Sequence, residues 1–424
     1  MKDINVSIIF LCHNNYHIDI CINSALEQLN NNDEIIIVDD HSDEQTQQTL
    51  NRYNKYAQIK ILSSTKVANR SYNRNIGAAV AKNPVLVFLD GDMVLGNEGI
   101  QEIKYAHCNR EEGAFIGQKH GIHFDEIQMQ LYSSIPDYIH FLRTKEGRTQ
   151  LENNPLLIDE RSKHFTNSET EKYRWIYYYT GLCSVEKTVF TQAGRFDENF
   201  IEWGSEDVDL GYRISKISKI GFINNLHGFH IPHARNILNN EHSNLANIRY
   251  MQNKYKTWEF EILQGFYGYG NLMAFHSILG QMRLLTVSDV TPKMKDGEIL
   301  IDIISQVHPN GRILYKDSIL KDMNAFFGIV IPVDDFHFKT AYISDHIFIY
   351  PNLLTCRILQ EALRVADNVH IFPTTDSIRI SWDKNRMLYP KAQKQHLYNE
   401  INDLLSFTFV PLDNDYIQVK SIYG

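Results

Sequence analysis

Short apolar runs separated by amphipathic stretches make up the N-terminal part of the chain. Each run has the length of one buried strand. The runs occupy positions 6–12, 34–38, 59–62 and 85–89. Helices are predicted between them at positions 18–29, 46–56 and 70–81. Asn69 or Ser71 is expected to cap the third helix. Alternation of this kind predicts right-handed β-α-β crossovers and an α/β fold with a Rossmann-like, mainly parallel sheet.

Polar side chains directly follow three of the predicted strands. They are Asn14, Asp39, Asp40, Asp90 and Asp92. Because the carboxyl ends of parallel strands lie along one edge of a sheet, we expect these side chains to converge on a single ligand crevice. Considered alone, the Asp39-Asp40 pair could instead cap a helix and lead into a turn.

The segment Asp90-Gly91-Asp92 holds two carboxylates close together at the end of an apolar run. Gly91 has no side chain, so a ligand can approach the backbone closely there. Neighbouring carboxylates repel each other unless a cation lies between them or both face water. A divalent metal ion carrying a diphosphate would satisfy both, whereas a solvated Asp-Gly turn is the simpler alternative. The chain has no glycine-rich dinucleotide or P-loop motif, which favours a metal as the holder of phosphates.

A second acidic cluster lies more than a hundred residues downstream, in Trp203-Gly-Ser-Glu206-Asp207-Val-Asp209. The acids open a predicted helix that continues through Leu210. Acidic residues in a first helical turn are favoured by the helix dipole, so capping alone could explain them. Capping does not explain Trp203, whose ring beside carboxylates is suited to stacking on the apolar face of a sugar.

Length and charge narrow the classes of protein that fit. The chain has 424 residues, 43% of them hydrophobic, which favours two globular domains. Its net charge of −9 argues against nucleic-acid binding. The five cysteines show no paired spacing, so neither a disulfide framework nor a zinc site is expected. No signal peptide or membrane-spanning run is evident, and we predict a cytoplasmic protein.

The C-terminal third returns to an α/β pattern after a polar stretch at positions 289–297. Strands are predicted at positions 299–304, 312–315, 327–333, 369–372 and 378–382. Helices are predicted at 353–366 and 391–405, with a closing hairpin formed by 407–411 and 416–422. The predicted organisation is a catalytic domain at 1–265, a helical connection at 266–290 and a smaller α/β domain at 291–424.

Four stretches of the N-terminal part resemble the GT-A glycosyltransferases of family 2. They are VSIIFLCHNN, EIIIVDDHS, NRSYNRNIGAA and VLVFLDGDM. The resemblance implies a GT-A fold that binds a UDP-sugar. It places Asp40, with Asp39 beside it, at the uracil, Asn14 near the base and Arg74 near the nucleotide. Arg74 could also be an ordinary solvated helix residue.

The same resemblance implies a metal site that holds the diphosphate of the donor. Asp90 would contact the ribose or the metal, and Asp92 would coordinate Mn²⁺ or Mg²⁺. A histidine downstream of the acidic block completes the metal shell in this family, which implies His230, with His233 as the alternative. Imidazole and carboxylates together are an ordinary Mn²⁺ ligand set. Either histidine alone could equally be a structural residue.

The block GRFDENFIEWGSEDVDLGYRI resembles the second characteristic block of family 2. It also resembles the W-G-x-E-D block of the galactosyltransferase and chondroitin-polymerase branch. This implies that Asp207 is the general base, that Glu206 contacts the acceptor, and that transfer inverts the anomeric carbon. The expected acceptor is a glycan, a cell-surface polymer or a peptide. Alternatives are a nucleotidyltransferase acting on a sugar phosphate and a catalytically inactive sugar-nucleotide-binding module.

The C-terminal domain weakly resembles a methyltransferase-like Rossmann domain through EALRVADNVHIFP and the closing hairpin. It lacks the glycine-rich cofactor turn. The expectation is therefore an accessory module that binds the acceptor or joins two copies of the chain into a homo-oligomer.

Overall fold

A computed structural model describes the chain in two compact units, Met1–Asn247 and Ile248–Gly424. The described residues are 4–121, 138–154, 157–159, 168–200, 202–232, 237–255, 260, 298–302, 312–315, 328–329, 331, 334–344, 352–372, 407–411 and 417–421. Among them, no helix combines the length and the apolar character that crossing a membrane requires.

The first unit is built on one sheet, in which the described residues form eight strands. These are β1 Val6–Cys12, β2 Glu34–Asp39, β3 Ile59–Ser63, β4 Val85–Asp90, β5 Met93–Leu95, β6 Ala114–His120, β7 Leu182–Glu186 and β8 Ile220–His230. Their order is β3-β2-β1-β4-β7-β6-β8-β5. The strands β3, β2, β1 and β4 are mutually parallel, while β7 runs antiparallel to both β4 and β6. The predicted α/β fold with a mainly parallel sheet is confirmed.

Several helices also begin within the described part of this unit. They are α1 Ile18–Leu26, α2 Glu44–Asn51, α3 Arg70–Val80, α4 Gly99–Asn109, α5 Tyr138–Leu142, α6 Lys145–Glu152, α7 Lys187–Gln192, α8 Glu206–Ser215 and α9 Ile237–Tyr255. The first three lie where the apolar pattern predicts them, although α2 begins and ends earlier. Asn69 caps α3, its side-chain oxygen accepting from the Tyr72 amide at 2.8 Å. A 3-10 helix spans Ser168–Tyr177.

The central strands are buried on both faces, as their uninterrupted apolar character requires. Five consecutive side chains of β4, Val85 to Leu89, are at most 1% exposed. At its end β4 carries Asp90, whose side chain keeps 32% of its surface accessible. Hydrophobic burial therefore holds the strand in place and fixes the position of its terminal carboxylate at the sheet edge.

The second unit contains a separate sheet. Its described strands are β9 Glu298–Asp302, β10 Arg312–Tyr315, β11 Phe338–Ser344, β12 Ala366–Phe372, β13 Phe407–Pro411 and β14 Ile417–Ser421, in the order β10-β9-β11-β12-β14-β13. Helix α10, Asn352–Val365, connects the parallel strands β11 and β12. The predicted closing hairpin is confirmed by the antiparallel pairing of β13 with β14.

Other parts of this unit differ from the prediction or are not tested by the described residues. Strand β11 was not predicted. The described part of the predicted strand at 327–333, namely residues 328, 329 and 331, is not in a strand. The predicted strand at 378–382 and helix at 391–405 lie outside the described residues. The predicted domain boundaries and the accessory role of this unit stay predictions.

Candidate active site

The loops that follow β1 and β2 are tied together by hydrogen bonds. The Asp40 amide donates to the Cys12 carbonyl at 2.8 Å, and the Asn14 amide donates to the Ser42 hydroxyl at 3.1 Å. Asn14 lies in the left-handed region with φ of 44°, and its side-chain oxygen accepts from the Asp43 amide at 2.7 Å. The polar residues at these strand ends therefore converge, as the parallel sheet predicts.

Asp39 and Asp40 are both buried, yet they face different partners. The carboxylate of Asp39 accepts from the Ser42 amide at 3.1 Å and so shapes its own turn. The carboxylate of Asp40 lies 3.3 Å from the ring of His41. Asp40 is therefore better placed than Asp39 to meet a ligand, because Asp39 already closes the loop.

Gly91 lies where the loop after β1 passes close to the end of β4. The side-chain amide of Asn15 donates to the Gly91 carbonyl, which joins the two strand ends. A methyl group at Gly91 would lie 2.5 Å from the Leu11 carbonyl oxygen, inside van der Waals contact. Glycine is needed here for close backbone approach rather than for an unusual dihedral angle.

Arg74 joins the two acidic clusters that the sequence places far apart. From α3 it donates to Glu206 at 2.8 Å and to Asp90 at 2.9 Å. Its side chain is 3% exposed, so the alternative of a solvated helix residue is excluded. Burial lowers the pKa of Arg74, but the carboxylates of Asp90 and Glu206 outweigh this effect and raise the pKa above its usual value. The end of β4 and the start of α8 therefore form one site.

Asp207 lies beside this ion pair and has an unusual protonation equilibrium. Burial, followed by the charge of Glu206, raises the pKa of the Asp207 carboxyl to about 6. Arg74 acts in the opposite direction, as does the hydrogen bond that Asp207 accepts from the Val208 amide at 2.8 Å. A carboxylate with a pKa near 6 is a stronger base than an ordinary aspartate and is still ionised at neutral pH.

The loop that precedes Asp207 has a strained backbone. Glu202, Gly204 and Ser205 all have positive φ, at 58°, 108° and 68°. Such conformations cost free energy in residues other than glycine and persist only where the surroundings enforce them. At Gly204 any side chain would clash with Asn244.

Three polar side chains of α9 hold this loop in place. The Ser243 hydroxyl donates to the Trp203 carbonyl at 2.9 Å, and the Ser205 hydroxyl donates to the Asn244 side-chain oxygen at 2.8 Å. The Asn247 amide donates to the Gly204 carbonyl at 2.9 Å. Because all three of these helix residues are buried, they are positioning residues for the segment that carries Trp203 and Asp207.

Replacing Asn247 by alanine should loosen this loop. The variant leaves the buried Gly204 carbonyl without its donor, whereas the Trp203 carbonyl keeps its hydrogen bond from Ser243. The loss of this donor costs about 1–3 kcal/mol of unfolding free energy. If the site transfers a sugar from a nucleotide donor, as the resemblance implies, the transfer rate should fall more than the affinity for nucleotide. The loop supplies Asp207 and none of the strand ends that are predicted to contact the base. Urea unfolding and a UDP titration measure the two effects. The exposed Asn253→Ala on the same helix is the matched control; equal effects in both variants would contradict the positioning role.

Asp92, two residues after Asp90, lies against His230. The Asp92 carboxylate lies 3.4 Å from the His230 Nε2, and the His230 side chain is 6% exposed. The backbone is joined at this point as well, since the Ile231 amide donates to the Asp92 carbonyl at 2.8 Å and Met93 of β5 pairs with His230 of β8. The predicted His233 lies outside the described residues. Asp90 has its Oδ1 engaged by Arg74, and its assignment to a metal stays a prediction.

Sequence reasoning missed Lys119 and the α9 residues that hold the loop. Lys119 lies near the end of β6 and is 6% exposed, close to Asp90. A single lysine in the segment AFIGQKH carries no motif, and polar residues in a helix resemble a solvated face. Only the tertiary structure places Lys119 near Asp90 and the α9 residues against the loop that precedes Asp207.

Comparison with protein families agrees with this geometry. Residues 7–166 match the model described as glycosyl transferase family 2. Residues 160–233 match a second model, described as the N-terminal domain of galactosyltransferase. The first unit contains a family 2 glycosyltransferase domain. The two matches meet near residue 160, so together they include both ends of the Arg74 bridge.

Individual relatives of this glycosyltransferase domain are distant. Validoxylamine A glucosyltransferase of Streptomyces hygroscopicus subsp. jinggangensis (strain 5008) is 27% identical over 187 residues, 43% of each chain. Chondroitin synthase of Pasteurella multocida (strain Pm70) is 26% identical over 231 residues, 50% of this chain and 23% of that protein. The chain thus spans less than half the length of these relatives. The crystal structure of S. aureus TarS 1-349 in complex with UDP-GlcNAc covers 67% of this chain and 76% of its own, with 12% identity and a TM-score of 0.45.

Proposed function

We propose that the first unit transfers a sugar from a UDP-sugar to an acceptor hydroxyl with inversion, in a metal-dependent reaction. The observation that carries the proposal is the Arg74 bridge, which brings Asp90 and Glu206 to the same guanidinium at 2.9 and 2.8 Å. It places a basic carboxylate, Asp207, next to the acidic strand end where a donor diphosphate would bind. If the acceptor is a glycan, a polymer or a peptide, the reaction serves polysaccharide or glycoconjugate synthesis.

Asp207 is the general base of the proposed reaction. An acceptor hydroxyl is a weak acid, so it must lose its proton to a nearby base as it attacks the anomeric carbon. A carboxylate with a pKa of about 6 accepts that proton and remains ionised at neutral pH. Direct attack by the activated hydroxyl from the face opposite the leaving group inverts the anomeric centre.

Glu206 and Trp203 shape the acceptor side. Glu206 is 5% exposed and its Oε1 accepts from Arg74, which fixes the start of α8. Its predicted contact with the acceptor would use the other carboxylate oxygen. Trp203 is partly buried, and its backbone carbonyl accepts from Ser243, which holds the backbone that carries the ring next to the start of α8. We propose that the ring stacks on a sugar.

The donor side combines the strand ends with a divalent cation. Asp40 and Asn14 would contact the base, and Asp92 with His230 would hold Mn²⁺ or Mg²⁺. The described residues contain no set of three ligands, but Mg²⁺ is commonly held by one or two carboxylates and substrate phosphates. A carboxylate and an imidazole in contact suit Mn²⁺ as well. When bound, the ion stabilises negative charge on the departing diphosphate as a Lewis acid.

UDP release from a panel of UDP-sugars tests the proposal. The full chain is incubated with each donor, with and without a hydroxyl acceptor, in the presence of Mn²⁺, Mg²⁺ or a chelator. We expect metal-dependent UDP release from at least one donor and a product of inverted anomeric configuration. Release of pyrophosphate from a nucleoside triphosphate and a sugar phosphate would instead identify a nucleotidyltransferase. UDP binding without turnover of any donor would identify an inactive binding module.

Replacing Asp92 by alanine should weaken the effect of the metal ion on nucleotide binding. In the wild-type chain Mn²⁺ is expected to strengthen UDP binding. In the variant this enhancement should be at least about tenfold smaller, because losing a residue that only orients a metal ligand already lowers metal affinity by that factor. Calorimetric titration of UDP with and without Mn²⁺ measures the difference. Glu198, an exposed acid paired with Lys66, supplies the control variant Glu198→Ala. If Mn²⁺ strengthens UDP binding equally in the Asp92 variant, the assignment is wrong.

A further inference from the structure

Lys119 is a buried cation at the same sheet edge as the acidic clusters. It lies on β6, and β7 separates this strand from β4, which ends in Asp90. The residue is 6% exposed, and its ammonium lies 4.4 Å from the centre of the Tyr179 ring. Burying an ammonium is costly unless nearby negative charge compensates it, so its position calls for an explanation.

Gly181 creates the space in which Lys119 approaches Asp90. A methyl group at Gly181 would lie 2.5 Å from the Lys119 Nζ and 3.2 Å from the Asp90 Oδ2. The other oxygen of that carboxylate, Oδ1, accepts from Arg74. Each oxygen of the Asp90 carboxylate thus has a different cation near it, Arg74 at Oδ1 and Lys119 near Oδ2.

The charges around Asp207 come from several elements. Glu206 precedes it on α8 and its charge raises the pKa of Asp207, whereas the charges of Arg74 on α3 and Lys119 on β6 lower that pKa. Tyr178 and Cys183 also lie nearby, but burial raises the pKa of both above its usual value, so they stay neutral. Among the described residues, Arg74 and Lys119 thus oppose the charge of Glu206 at this position. Arg74 already donates to Glu206 and to Asp90.

We propose that Lys119 is a positioning residue of the transfer site, which holds the Asp90 carboxylate across Gly181 and keeps Asp207 in its ionised, proton-accepting form. The catalytic consequence rests on the glycosyl transfer proposed above. The electrostatic part does not, because it concerns only groups of this chain. Lysine suits the role since its compact charge fits the gap beside Gly181.

The electrostatic part is tested by carboxyl NMR on the full chain labelled with ¹³C at the aspartate carboxyl groups. The Asp207 signal is assigned by its loss in Asp207→Asn. We expect it to titrate near pH 6 in the wild-type chain. In Lys119→Met, which removes the charge, the midpoint should rise by about one pH unit, the lower end of what a neighbouring charge does.

Gly181→Ala provides an independent variant, because it displaces the ammonium and leaves Lys119 in the chain. It should move the Asp207 midpoint in the same direction as Lys119→Met. The double variant should move it no further than Lys119→Met alone, since both changes remove one interaction. Lys60→Met, on an exposed position of β3, is the control and should leave the midpoint unchanged. An unchanged midpoint in both single variants would overturn the proposal.

Turnover of the accepted UDP-sugar tests the catalytic consequence. Lys119→Met should lose about tenfold in rate where Asp207 is partly protonated, because one pKa unit is a factor of ten in the ionised fraction. The loss should shrink at higher pH. An equal loss at every pH would indicate a purely structural role and overturn the proposal. If the wild-type chain turns over no donor, the proposed function fails, while the NMR titration still decides the role of Lys119.

Discussion

Asp207→Asn should abolish sugar transfer and leave UDP binding intact. The amide keeps the shape of the side chain but cannot accept the acceptor's proton, and loss of a general base typically costs roughly 10²–10⁴-fold in rate. UDP affinity should persist, because Asp40 and Asp92, which would bind the donor, lie on other elements. The rate of UDP release and a UDP titration measure the two properties. A purified variant with near-normal turnover would show that another group is the base.

The effect of Asp207→Asn on stability can also be predicted, and it distinguishes a loss of catalysis from a loss of folding. Burial raises the pKa of Asp207 in the folded chain from 3.8 to about 6. The unfolded chain therefore releases this proton more readily, and stability is lost as the pH rises through the folded pKa. Above pH 6 the wild-type chain carries this penalty and Asp207→Asn does not, so its melting temperature should be equal or higher. Exposed Glu202→Gln, in the same loop, is the control and should retain turnover.

Arg74→Met should have the largest effect on stability. The variant leaves Glu206, whose side chain is 7% exposed, and Asp90 without their shared partner. Removing one member of a buried ion pair typically costs about 3–5 kcal/mol, because the remaining charge stays buried. Equilibrium urea unfolding of the full chain measures the change. Donor turnover should be lost as well, since the bridge holds the end of β4 against the start of α8.

A surface ion pair close by supplies the comparison. Lys66 contacts Glu198 at 2.8 Å, with both side chains largely exposed, and Lys66→Met should cost less than about 1 kcal/mol. Arg74→Lys tests the geometry, because one ammonium lacks the fork that meets two carboxylates at once. The free energy of unfolding of Arg74→Lys should lie between those of the wild-type chain and Arg74→Met. If Arg74→Met unfolds no more easily than Lys66→Met, the bridge does not hold the site together.

Much of the first sheet could be predicted because its signals are local. The strands β1, β2 and β4 are continuous apolar runs, and burial on both faces leaves them few alternatives. Strand β6 was missed, since AFIGQKH mixes apolar residues with glycine, glutamine and lysine and lies between stretches without a clear period. Its place between β7 and β8 is decided by pairing with strands far along the chain, including a shift in register near Gly117. Helix α4 lies in the same part of the chain, where the pattern of apolar residues predicted no definite element.

The sequence by itself determined the parallel strands and the acidic clusters at their ends, because periodicity and strand polarity are local properties of the chain. Only the tertiary structure decided how those clusters work together. Arg74 and Glu206 are separated by 132 residues, and the meeting of Asp92 with His230 depends on the pairing of β5 with β8. The pKa of Asp207 likewise depends on burial and Glu206, which raise it, and on Arg74 and Lys119 from two other elements, which lower it. Electrostatic interactions act through distance in space, which the order of residues alone does not contain.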